Sequence, residues 1–138
     1  MKKILVAHDG SKTSTKAVKK AFEIADRFGS SVLVISVIPE LYLTELMDID
    51  RARISETMTA ETARMMDKIK TAAGPAKQFR TVIRQGNPAA EILAEAERSR
   101  VDLIITGSHG RHGAEKFLLG SVSSKIVDHA GCSVMVVK

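Results

Sequence analysis

Five short apolar runs recur along the chain, at residues 4–8, 32–38, 79–85, 103–106 and 134–137. The first, second, fourth and fifth are nearly unbroken in Ile, Leu and Val. Continuous runs of this kind belong to strands covered on both faces, as in a parallel sheet. The third carries Arg80 and Arg84 between its apolar residues, which suits a more exposed strand nearer a sheet edge.

Between the runs the apolar period lengthens to that of a helix. Over residues 12–28, Ala17, Val18, Ala21, Ile24, Ala25 and Phe28 recur at helical spacing. Ser11 is placed as an N-cap and Gly29 as the glycine beyond the last turn. A second helix is expected over about residues 49–73, with Ile54, Met58, Thr62, Met65 and Ile69 on its apolar stripe, ended by Gly74-Pro75. A third starts at Asn87-Pro88 and buries Ile92, Leu93 and Ala96. A fourth spans about 121–129 and buries Val122, Ile126 and Val127. Residues 39–48 carry no clear pattern.

Strict strand–helix alternation implies a doubly wound α/β sandwich with right-handed crossovers. Ligands of such sheets sit at the carboxyl ends of the strands, where the strand order reverses. Residues 7–11, 37–39 and 107–121 meet that condition.

The last of these segments holds the chemistry. Gly107-Ser108-His109-Gly110 follows the fourth strand, and Gly120-Ser121 opens the fourth helix. Glycines between a parallel strand and a helix start let backbone N–H groups approach a phosphate, and the helix dipole favours an anion there. Neither Gly-x-x-x-x-Gly-Lys-Ser/Thr nor Gly-x-Gly-x-x-Gly occurs. Asp9, at the end of the first strand, is a candidate to accept hydrogen bonds from ribose hydroxyls or to hold a phosphate-bridging metal; capping the following turn is its plainer role. Val37 ends the second strand beside the same crevice, where its backbone is a candidate to pair with an adenine edge; a core valine is its plainer role. Arg111, His112 and His109 lie within reach of phosphate oxygens or are solvated loop residues.

Composition narrows the remainder. A chain of 138 residues fits a single domain, and its one cysteine, Cys132, forms no intrachain disulfide. The four histidines show no metal-binding spacing. Residues 1–7 begin as a signal peptide would, but the apolar run stops at His8-Asp9, so a first strand and a cytoplasmic protein are expected. No run is long enough to span a bilayer. The net charge of +5 suits an anionic partner, yet many lysines fall on helix faces, and aromatics total only 4%. Nucleic acid is therefore not the expected partner. No nucleophile–base pair and no paired carboxylates stand out; Glu91, Glu95 and Glu97 lie among alanines on the third helix.

Taken together, these residues resemble the universal stress protein family in its ATP-binding branch. The family pattern Gly-x2-Gly-x9-Gly-Ser/Thr is met by Gly107, Gly110, Gly120 and Ser121. The likeness extends over the whole chain, through residues 4–9 with Gly10-Ser11, 34–38, Gly86-Asn87-Pro88, 101–110 and 134–138. It implies a three-layer α/β/α sandwich of Rossmann-like, adenine-nucleotide-hydrolase-like type, with five parallel strands in the order 3-2-1-4-5. It also implies a homodimer through Ser133–Val137. By position, Asp9 and Val37 would contact adenosine, Thr106 and Gly107 would border the ribose, and Gly110, Gly120, Ser121 and Val122 would hold the phosphates; Ala7, Ser108 and Arg111 complete the implied nucleotide-binding set. Ala7 departs mildly, since proline can stand there. The implied ligand is ATP, with Mg2+ as an optional companion. The implied role is a nucleotide-dependent stress-response switch; the alternatives are a slow ATPase or phosphotransferase, and an interaction module with a vestigial or AMP-binding site.

Overall fold

Ile4, Leu5 and Val6 are all completely removed from solvent. Successive strand residues face opposite ways, so both faces of this strand must be covered. A computed structural model describes residues 1–40, 48–75, 77–110 and 118–138, with residues 48 and 49 described by their backbone alone, and shows how. The elements run β1 (Lys3–Ala7), α1 (Lys12–Phe28), β2 (Ser31–Pro39), α2 (Asp48–Ala73), β3 (Phe79–Gly86), α3 (Pro88–Ser99), β4 (Leu103–Gly107), α4 (Ser121–His129) and β5 (Ser133–Val137). All strands pair in parallel, in the order β3-β2-β1-β4-β5.

Two apolar layers flank the sheet. Ile4, Val6, Val34 and Ile105 pack with Ala17, Val18, Ala21 and Ala25 of α1 and Met66 of α2. On the other face Leu5, Ile35 and Ile104 meet Ile92 and Ala96 of α3 and Ile126 of α4. The three-layer sandwich and its strand order agree with the sequence expectation. The caps hold as well: Ser11 Oγ accepts from Ser14 N–H at 3.2 Å, Gly29 ends α1 at φ 65°, and Asn87 Oδ1 accepts from Ala90 N–H at 3.0 Å ahead of Pro88.

Four burial expectations are corrected. The fifth apolar run, expected to be covered on both faces, is the edge strand β5, with Ser133 and Met135 exposed. Phe28 is 67% exposed, because α1 ends there beyond the sheet. Phe22, six residues earlier, makes the aromatic contact instead, edge-on to Phe79 with centroids 5.0 Å apart. Val127 is 46% exposed; its neighbour Ile126 is fully buried, and adjacent helix residues point about 100° apart. Among the described side chains of α2 the buried one is Met66, which the expected stripe had straddled through Thr62, Met65 and Ile69.

Glu95, one of the three glutamates among alanines on α3, is only 4% exposed. Its Oε2 accepts from Arg84 Nη2 at 2.9 Å and from Arg98 Nη1, and Oε1 accepts from Ser99 Oγ at 2.9 Å. Burial alone would raise this carboxyl. The bonds from Arg84 and Ser99 and the two guanidinium charges outweigh it and hold Glu95 below the ordinary carboxylate value. A lowered folded-state value adds stability that is full above the unfolded value and is lost as pH falls through the folded one. Glu95→Gln, which leaves two guanidiniums without a counter-charge, is expected to cost about 2 kcal/mol at pH 7. The gap from the wild type should close as pH falls below 4.5, followed by urea denaturation across pH. A gap independent of pH would contradict the ionised state.

Candidate functional site

β1 and β4 lie side by side at the centre of the sheet, and their helices leave toward opposite faces, α1 to one and α4 to the other. That divergence opens a crevice above their carboxyl ends. β1 gains one more pairing at His8, whose N–H donates to Ile35 O at 2.9 Å. The chain then turns at Gly10, with φ 86°, into the cap of α1.

Asp9 sits inside this turn. Its Oδ1 accepts from Ser11 N–H at 2.9 Å, and its own N–H donates to Ser14 Oγ at 3.3 Å. Burial pushes the carboxyl up, but hydrogen bonds from Ser11 and Ser14 and the nearby His8 more than offset this, so it stays ionised below its usual range. His8 is buried, with Nδ1 3.0 Å from Ser14 Oγ.

The loop after β4 is tied down through its carbonyls. Gly107 O accepts from Ser123 Oγ, Ser108 O from Gly120 N–H at 2.7 Å, and His109 O from Thr13 Oγ1 at 2.7 Å and Ser11 Oγ at 3.3 Å. Ser108 N–H donates to Val137 O at 2.8 Å, and Ser108 Oγ lies 2.8 Å from His109 Nδ1. Three successive acceptors are thus turned into the protein. In a trans peptide the N–H points opposite to its C=O. The Gly110 N–H is therefore directed away from Thr13. It meets no acceptor among the described residues, and neither do the Ser121 and Val122 N–H groups of the first turn of α4. Gly120 caps that helix without any side-chain hydrogen bond, so donors face the crevice while acceptors face the fold.

The glycines differ in what they are for. At Gly107 a Cβ would stand 2.5 Å from Thr13 Oγ1 and 2.8 Å from Ser14 N, so this residue lets β4 approach the start of α1. At Gly110 a Cβ would stand 3.1 Å from Asp9 Oδ2, which brings the loop and the carboxylate together. At Gly120 it would meet Ser108 O at 3.2 Å and Gly110 N at 3.7 Å. A bulky residue at 120 would therefore displace the loop before it filled any ligand space.

Among the other candidates, Thr106, Gly107 and Ser108 are buried and act through the backbone positions they fix. Ser121 is exposed, and Val122 is half-buried against the α3–α4 layer. Ala7 pairs with Ile35 at the end of the β1–β2 ladder. Val37 lies two residues past Ile35, whose carbonyl points toward β1. Strand backbone direction repeats every second residue, so Val37 offers its N–H and C=O on that same side, beyond the end of β1. Its side chain packs in the α3–α4 layer. Arg111 and His112 lie outside the described residues. Ser123, which pins the loop, was not singled out in the sequence, and neither were Thr13, which pins it too, and Ser14, which holds the Asp9 turn. The hydroxyl-rich run Ser11-Lys12-Thr13-Ser14-Thr15 was their visible sign.

Among the described residues no group of three or more His, Cys, Asp or Glu side chains converges to hold a metal ion. No described helix is long and apolar enough to cross a membrane.

Known proteins bear directly on this geometry. The universal stress protein family model matches residues 1–138. Universal stress protein MJ0531 of Methanocaldococcus jannaschii is 36% identical over 139 residues, covering 99% of this chain and 82% of that protein. The structure of hypothetical protein MJ0577 superposes with a TM-score of 0.90 at 30% identity, covering 99% and 95% of the two chains. A universal stress protein family member from Arabidopsis thaliana with AMP bound shares the fold at 20% identity, with a TM-score of 0.73 and coverage of 100% and 92%. With a family model spanning its whole length and a full-length relative above 30% identity, the chain belongs to the universal stress protein family.

Proposed function

We propose that this protein is a single-domain, cytoplasmic, ATP-binding regulator of the stress response that works as a nucleotide-dependent switch in a homodimer. The observation that carries this reading is the set of N–H donors at Gly110, Ser121 and Val122, without acceptors among the described residues, at the edge of a crevice that also holds Asp9. Donors of this kind suit phosphate oxygens. The ionised Asp9 carboxylate repels phosphate and suits hydroxyl or amine donors of the nucleoside, or a Mg2+ ion carried by the phosphates. Ala7 and Thr106 border the nucleoside at the strand ends, and the Val37 backbone is placed for the adenine edge. The AMP held by the Arabidopsis relative fits a site of this class.

The same loop offers a route for signalling. Ser108 N–H is bonded to Val137 O of β5, an edge strand that pairs among the described residues with β4 alone. Its free edge exposes Ser133 and Met135 and presents a row of backbone groups ready for a second strand. Phosphate bound on the loop would thus be felt at the surface proposed to form the dimer.

Heat-denatured, purified protein is expected to release an adenine nucleotide detectable by chromatography. Asp9→Ala should weaken ATP binding by about tenfold or more, since a charged hydrogen-bond partner is lost. An empty supernatant together with no ATP-induced rise in melting temperature would overturn the reading. Steady ADP formation that disappears in Asp9→Ala would move it toward a slow ATPase.

A further inference from the structure

Helices α1 and α2 cover one face of the sheet, and a groove of about 770 Å3 runs between them. α2 is 26 residues long, yet among its residues with described side chains Met66 alone is buried. Ile69 packs against the core beside it and Met65 is half-buried, so part of the apolar stripe of α2 borders the groove. Here Met65 and Ile69 of α2 face Val18 and Phe22 of α1 across the groove. His8 and Gly10 form its upper end, and Ala72 and Ala73, with small side chains, lie at the other.

The charges around this groove are unbalanced. Lys19, Arg64 and Lys68 line it against a single carboxylate, Glu61. None of the three cations is ion-paired within the described residues. Their neighbours differ: Lys20 pairs with Glu23 at 2.6 Å, Lys70 with Asp67 at 3.8 Å and Lys77 with Asp26. An aliphatic lining bordered by unpaired cations complements an elongated apolar molecule with an anionic head. The geometry points to a second ligand site, between α1 and α2, for a single acyl chain bearing a carboxylate or phosphate head. The chain lies along Val18, Phe22, Met65 and Ile69, and the head meets Lys19, Arg64 and Lys68. This site shares no donor with the nucleotide cradle and does not depend on that reading.

The test titrates nucleotide-free protein with cis-parinaric acid, a long-chain carboxylate that fluoresces in apolar surroundings, below its aggregation concentration. One saturable site per chain is expected, with displacement by dodecanoate or dodecyl phosphate and much weaker displacement by dodecanol. Arg64→Glu with Lys68→Glu should weaken binding by about tenfold, through lost attraction and added repulsion. Lys20→Glu, off the groove, should change nothing. If the double variant fails to fold, Lys19→Glu alone should weaken binding in the same direction. No saturable signal, several probes per chain, or equal affinity in the charge-reversed variants would overturn the proposal. Dodecanol displacing as well as dodecanoate would also overturn it, because the cations would then play no part.

Discussion

Gly107→Val is expected to lower stability by about 3 kcal/mol and the melting temperature by about 10 °C. At this position β4 and the start of α1 touch backbone to backbone. A Cβ would lie 2.5 Å from Thr13 Oγ1 and 2.8 Å from both Ser14 N and Thr13 C. The Thr13 hydroxyl can rotate away, but the two backbone atoms cannot. α1 must therefore retreat from β4. Thr13 Oγ1 would then lose its bond to His109 O, and the Ser11–Asp9–Ser14 turn would shift with the helix. The substitution should thus weaken nucleotide binding as well as the fold, and Gly107→Ala should show a milder form of both effects. Urea denaturation monitored by circular dichroism checks the first effect. An unchanged midpoint would mean that β4 and α1 are not in this contact.

Ser121→Asp is expected to separate binding from folding. Residue 121 is exposed at the first position of α4, where a carboxylate favours the helix dipole by about 0.3–1 kcal/mol. Stability should hold or rise slightly. The new charge would stand where the proposed phosphates sit. Like charges about 4 Å apart near a surface repel by several kcal/mol, enough to weaken ATP binding by about a hundredfold or more. Calorimetric affinity and melting temperature, measured on the same preparation, check the pair of outcomes. Unchanged affinity would place the phosphates elsewhere. Lost affinity together with lost stability would point to a folding role for Ser121. Gly120→Val makes a poorer probe, because its first contact is Ser108 O rather than ligand space.

The backbone frame was legible in the sequence because it is written in local periodicity. Continuous Ile, Leu and Val marked β1, β2 and β4 as covered on both sides but misjudged the edge strand β5, while Ser11, Gly29 and Asn87-Pro88 marked helix ends by capping chemistry. What failed depended on angles that periodicity does not fix. Ile126 and Val127 are equally apolar, but one points into the α3–α4 layer and the other out. The α2 stripe missed Met66 because its flanking residues share the same helical spacing. Arg84 and Glu95 sit on separate elements, so nothing local announced their ion pair. The glycine spacing located the candidate site. It did not show that Gly107 serves helix packing, nor that Thr13, Gly120 and Ser123 turn three carbonyls away from the crevice. Those are long-range contacts, visible only once α1 and α4 stand on opposite faces of β1 and β4.

The most direct measurement is an isothermal titration of nucleotide-free protein with ATP. The donors at Gly110, Ser121 and Val122 beside Asp9 call for one ATP per chain, with a melting temperature that rises as ATP is added. No heat and no thermal shift at about a thousand times a micromolar dissociation constant, where binding would contribute about 4 kcal/mol, would contradict it.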